Sequence, residues 1–201
     1  MNNDAQKSWE NLLDPKVLRP NLIMASIYIA AFEILKNSII DRIKDFYMVG
    51  FDQTGPHFDP KYQFEVLARN SSPVYASLDW LKESHAIEDD DISTFEKVKT
   101  YRNNLANELP RILQRGIPSE MPEHFAEMVA LLDKIERWWI VNVEIPTNPE
   151  FAGETIDEEK ILAGSVMILQ LMMDVALGNE EDSTKYINEF IKRTRHDETT
   201  A

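Results

Sequence analysis

The sequence predicts an all-α protein: a helical bundle over about residues 20–145 with additional C-terminal helices at about 155–192, in one domain spanning 1–201. Two observations carry this. Apolar residues recur at steps of three and four through 22–47, 92–109 and 123–143, the spacing of one helix face. Prolines and glycines gather between such stretches, at 50–60, 116–122 and 146–153, where helices stop. With 201 residues the chain is long enough to bury a real core.

The first nineteen residues carry Trp9, Leu12, Leu13, Val17 and Leu18, enough for a short helix docked on the body. Pro20 suits the first turn of a long helix from Asn21 to about Tyr47, where a missing N–H costs nothing. On it Leu22, Ile29, Glu33, Lys36, Ile40, Ile43 and Tyr47 form a stripe, broadened by Ala25, Phe32 and Ile39, while Asp41, Arg42, Lys44 and Asp45 read as solvated local pairs. Gly50 to Pro60 reads as a loop, and its His57, Asp52 and Asp59 match no metal-ligand spacing.

Lys61 to Arg69 reads as a short helix, and Ser71, Ser72 and Pro73 open another over Val74 to about Ser84. The acidic run Glu88 to Asp91 suits the positive end of the helix dipole at the start of a helix running from about Asp91 to Glu108, which Pro110 then breaks. A helix over roughly Glu123 to Val143 buries Phe125, Met128, Leu132, Ile135 and Trp139. Thr155 or Asp157 caps the next, about Glu158 to Leu177, whose stretch Ile161 to Val175 is apolar nearly all round. Such a helix belongs in the core or between two chains, and it is too short to span a bilayer. A last amphipathic helix passes through Tyr186, Ile187, Phe190 and Ile191 toward a basic tail expected to fray from Lys192.

Charge and composition narrow the function. A net charge of −14 opposes non-specific binding to nucleic acid, and no DNA partner is expected. Locally, Lys97, Lys99, Arg102, Arg111 and Arg115 outnumber Glu108. The chain has no cysteine, which fits a reducing cytoplasm, and its first twenty residues lack the basic-then-apolar order of a signal peptide. There is no Gly-rich phosphate loop, zinc-spaced histidine pair or nucleophile motif, so no cofactor and no metal are expected. His85 and His124, each near a helix end, are the remaining general-base candidates.

The oddest stretch is Tyr101 to Leu109. Ile92, Phe95, Val98, Arg102, Leu105 and Leu109 lie on one helical line, so Arg102 stands where a leucine belongs. A guanidinium that leaves water needs a carboxylate, a phosphate or several acceptors. Glu33 similarly interrupts the apolar face of the long helix, and it is the expected partner of Arg102, within the chain or across a dimer. Asn103 and Asn107, four residues apart, share a face beside Arg102.

The string Arg102-Asn103-Asn104-Leu105-Ala106-Asn107-Glu108-Leu109 resembles the Arg-Asn-x-Leu-Ala-His-Glu-Leu signature of HEPN domains. The resemblance implies an all-α bundle that dimerises and, in ribonuclease members, pairs the Arg and His motifs of two protomers around a metal-independent RNA-cleaving cleft. Here Asn107 stands at the histidine position, and an amide cannot exchange a proton as imidazole does. The expectation is therefore a non-catalytic HEPN-like protein in which Arg102, Asn103, Asn107 and Glu33 bind RNA or a nucleotide, or stabilise a homodimer. The alternatives are a HEPN-type endoribonuclease, with Arg102 stabilising the charged phosphorane, and an acidic protein-interaction module.

Overall fold

The computed structural model describes residues 3–151 and 157–200 and is mostly helical. In chain order it contains α1 (Asn3–Leu13), α2 (Pro15–Phe46), a hairpin of β1 (Met48–Asp52) and β2 (Gly55–Phe58), then α3 (Pro73–Glu83), α4 (Asp89–Asn107), α5 (Leu109–Arg115) and α6 (Met121–Trp139). These are followed by α7 (Ile145–Thr147), α8 (Gly164–Leu177) and α9 (Glu180–Thr200).

The long helix is the axis of the molecule, with α4 and α6 packed along it, α3 and α8 on its other sides, and α1 with α5 at one end. Its deepest line is Ala25, Tyr28, Phe32, Leu35, Ile39 and Ile43, all buried, and it meets Phe95, Val98, Leu105, Met128, Leu132 and Ile135. Each aliphatic side chain buried this way contributes about 1.5–3 kcal/mol. This line is rotated from the stripe through Leu22, Glu33 and Lys36, which therefore lies at the margin of the core. By length and composition α2 could cross a bilayer, with mean hydropathy 1.5 over its most apolar 18 residues. Here its apolar face is the core of the bundle.

Several sequence expectations need correction. The long helix begins at Pro15, where Asp14 accepts a hydrogen bond from the Lys16 amide at 2.9 Å, so Pro20 lies inside the helix and removes the bond its N–H would give to Lys16. The expected loop at 50–60 is largely the antiparallel hairpin. Its turn is held by Asp52, which accepts from the backbone and hydroxyl of Thr54 at 2.7 and 2.6 Å, and by Gly55 at φ 117°. Residues 61–69 form a π turn, Tyr62–Val66, running into a 3₁₀ turn, Leu67–Arg69. The helix expected from Glu158 begins at Gly164, after a 3₁₀ turn at Glu158–Lys160, while Gly153 and Thr155 lie outside the described residues. At the other end of the chain α9 runs to Thr200.

The largest correction concerns α8. Its inner line, Val166, Leu169 and Met172, packs on the body, yet Met167, Ile168, Leu171 and Val175 are 54%, 49%, 37% and 46% exposed. The helix is a surface helix with an apolar outer face, because α2 and α6 meet only one side of it. Among the described residues α9 packs chiefly on α8. Tyr186 on α9 donates a hydrogen bond to Asp174 on α8 at 2.6 Å.

Candidate functional site

The motif helix α4 starts where the acidic run places it: Glu88 caps the first turn, and Asp91 accepts from the Glu88 amide at 2.8 Å to complete a capping box. Glu108 ends it, and α5 restarts at Leu109 with Pro110 in its first turn. Between these limits Phe95, Val98 and Leu105 are buried against α2 and α6.

Arg102 leaves that line toward α2. Its Nη2 donates to Glu33 Oε1 at 2.6 Å, its guanidinium lies 5.6 Å from the centre of the Phe32 ring, and Nη1 reaches Asn103 Oδ1 at 3.3 Å. Lys36 binds the other Glu33 oxygen at 2.5 Å. The expected Glu33–Arg102 pair thus forms within one chain. It is half-buried, with side chains 37% and 28% exposed, so it fastens α4 to α2 at a gain of about 0.5–1 kcal/mol. Asn103 and Asn107 both project into solvent on the outer side of α4.

The electrostatics oppose proton transfer here. Lys36, by hydrogen bond and charge, and then Arg102 hold the Glu33 carboxyl below its ordinary value of 4.5, making it a weak base. Asn107 cannot titrate. The guanidinium Nε is buried and has no hydrogen-bond partner, while the side chain as a whole keeps 28% of its surface exposed.

Next to Arg102, Tyr101 turns the other way, into the seam of α2 and α6. Its ring lies 5.1 Å from Tyr28 and 4.7 Å from His124, and burial pushes its phenol up to about 12. His124 is 13% exposed, and its Nδ1 sits 3.3 Å from Glu127, which Lys97 also binds at 2.6 Å. His85 occupies the left-handed region at φ 59° and ends α3: the amides of Ala86 and His85 donate back to Leu81 and Lys82 at 2.9 and 3.0 Å. His57 pairs with Asp52 on the exposed hairpin. Among the described residues no histidine hydrogen-bonds or pairs with Arg102.

A second polar cluster was not foreseen. Glu136 on α6 is 4% exposed, and it accepts from Ser38 Oγ and from Arg42 Nη2, each at 2.5 Å. The same guanidinium reaches Glu144 at 2.6 Å. The Glu136 hydrogen bond, ahead of the charges of Glu136 and Glu144, raises the pKa of Arg42. Arg42 is therefore an interhelical clamp, correcting its expected place in a solvated run. A 260 Å³ groove beside it is lined by Asn37, Asp41 and Asp45 among others.

No family model matches the sequence, and neither a curated protein nor a solved structure shows significant similarity to it.

Proposed function

We propose that the chain is a non-catalytic, HEPN-like helical module that acts as a cytoplasmic scaffold, binding other protein surface through α8 and α9. The observation that carries this reading is the outward apolar face of these two helices. Large side chains on both stand in water, and monomers rarely leave so continuous an apolar patch bare without using it. Between them runs a 440 Å³ groove lined by Leu162, Val166, Met167, Ile168, Leu171 and Tyr186 with Gln170, a form suited to apolar side chains of a partner. The Arg102 cluster supports the same reading from the other side: its guanidinium is already matched by Glu33, and Asn107 brings no proton chemistry.

A second reading, binding of RNA or a nucleotide at Arg102, draws on one feature. The guanidinium is partly open beside the exposed amides of Asn103 and Asn107, and a phosphate could compete with Glu33 for it. The purified protein incubated with a mixed RNA pool without metal decides between them, alongside Arg102→Ala and Asn107→His. The scaffold reading expects neither cleavage nor Arg102-dependent retention by the wild type. Cleavage or retention lost in Arg102→Ala overturns it.

A further inference from the structure

We propose that the chain forms a reciprocal twofold dimer in which the β1–β2 hairpin of each copy seats Phe51 and Val49 in the apolar groove along α8 of the other. This rests on the scaffold reading and names its partner.

The hairpin is a second place where large apolar side chains stand in water. Met48, Val49 and Phe51 are 44%, 69% and 83% exposed. Among the described residues β1 and β2 pack chiefly on each other. The Asp59 amide donates to the Tyr47 carbonyl at 2.8 Å and the Phe58 ring lies 5.7 Å from Tyr62, so the hairpin is rooted in the body at its base. Phe51 stands directly opposite Pro56 in the ladder, and side chains alternate along a strand. These two therefore share one face, while Asp52 and His57, 2.8 Å apart, occupy the other. An arm with one apolar and one polar face is suited to docking on a single side.

The groove at α8 offers the matching concavity. Its 440 Å³ is walled by Leu162, Val166, Met167, Ile168 and Leu171, and its rim residues are among the most exposed aliphatic side chains of the body. Methionine adapts its shape to a ring and its sulfur packs favourably on one, which suits Met167 to Phe51.

Within one chain the two surfaces lie toward opposite ends of α2. The end of α8 meets the start of α2, where Ala176 and Leu177 line a cleft with Lys16, Arg19 and Ile23. The hairpin leaves the other end of α2, after Phe46. From Arg19 to Phe46 a helix rises about 40 Å and α8 itself is about 21 Å long, so the hairpin root and α8 are offset by at least about 20 Å along α2. Two copies laid side by side with their long helices antiparallel bring each hairpin to the groove of the other, and both contacts form together.

The areas fit such a pair. Met48, Val49 and Phe51 on the hairpin, and Leu162, Met167, Ile168, Leu171 and Val175 at α8, each leave on the order of 400 Å² of apolar surface in water, which together make the ~800 Å² that each partner gives to an interface of standard size. One contact alone has the size of a weak encounter. The closed twofold pair uses both surfaces of both copies and leaves neither free to polymerise.

Size-exclusion chromatography with light scattering on the full chain tests this. The wild type is expected at twice the 23.3 kDa of one chain. Phe51→Asp and Ile168→Glu, both at exposed positions, are each expected at the monomer mass with unchanged helical circular dichroism, and Val49→Asp should reproduce the first. Mixed in equal amounts, Phe51→Asp and Ile168→Glu should associate at concentrations where neither does alone, because one chain keeps its groove and the other its hairpin. A monomeric wild type, or a Phe51→Asp chain that stays dimeric, overturns the dimer described. A mixture that stays monomeric overturns the seating of hairpin in groove. The scaffold reading itself falls on a different result, Arg102-dependent cleavage or retention of RNA.

Discussion

Removing the Arg42 side chain should cost more stability than removing any other surface-reaching cation. Arg42→Ala leaves the Glu136 carboxylate 4% exposed, with only Ser38 to bond it. Stripping one partner from a buried ion pair costs about 3–5 kcal/mol, because the stranded charge keeps its desolvation penalty. Arg42 is itself 37% exposed and Glu144 48%, so water already screens part of the interaction, and the expected loss is about 2–3 kcal/mol. In a chain of this size that lowers the thermal midpoint by about 5–10 °C. Glu136→Gln, which still accepts from Ser38 and strands no buried anion, should lose about 1 kcal/mol. The paired replacement of Arg42 and Glu136 by leucine should return within about 1 kcal/mol of the wild type, since apolar substitutes carry no desolvation penalty. Urea unfolding at pH 7, followed by circular dichroism at fixed protein concentration, measures all three. A loss below about 0.5 kcal/mol for Arg42→Ala, the range of an ordinary surface change, would refute the claim that Glu136 depends on it.

Two further outcomes follow from local geometry. His85 holds a left-handed backbone conformation that glycine adopts without steric cost, so His85→Gly should raise unfolding stability by about 0.5–1 kcal/mol; a loss in urea unfolding would mean that the imidazole has a structural partner. The Glu33 carboxyl is held below 4.5 in the folded chain by Lys36 and then Arg102, so its contribution is fully present above that pH and declines as pH falls through the lowered folded value. Glu33→Gln should accordingly reduce stability at pH 7 and shrink the difference between pH 7 and pH 3, and an unchanged pH profile would contradict the pairing.

The helical class and the Glu33–Arg102 pair were legible because each leaves a mark in one dimension. A charge on an apolar stripe must find an opposite charge, and the stripe of α2 carried a carboxylate while that of α4 carried a guanidinium. The Arg42–Glu136 pair leaves a fainter mark. Arg42 sits among Asp41, Lys44 and Asp45 and reads as part of a solvated run, while its partner lies 94 residues away. Glu136 did offer a signal: with Met128, Leu132 and Trp139 it falls on the apolar line of α6, but Arg137 beside it suggests an exposed turn. The apolar surround of α8 reads as a buried helix, yet composition cannot say how many of its sides the rest of the chain covers, and here only one is covered. The start of α2 was misplaced because both Pro15 and Pro20 satisfy the first-turn preference, and only the cap at Asp14 distinguishes them. Strands as short as β1 and β2 fall below the length at which alternation separates from loop composition.

The position of α2 in the chain has a consequence for synthesis. The ribosome finishes this helix at Phe46, and the last residue of α6, Trp139, follows about 90 residues later, which at ~5–20 residues per second takes on the order of 5–20 s. For that interval Leu35, Ile39 and Ile43 have no α6 to meet, and the nascent chain displays a helix of bilayer-spanning length. Glu33 and Lys36 interrupt that helix. Each ionic group near the centre of an inserting segment raises its insertion free energy by about 2.5–3.5 kcal/mol. The carboxylate that later holds Arg102, with the Lys36 ammonium beside it, thus also raises the cost of placing this helix in lipid.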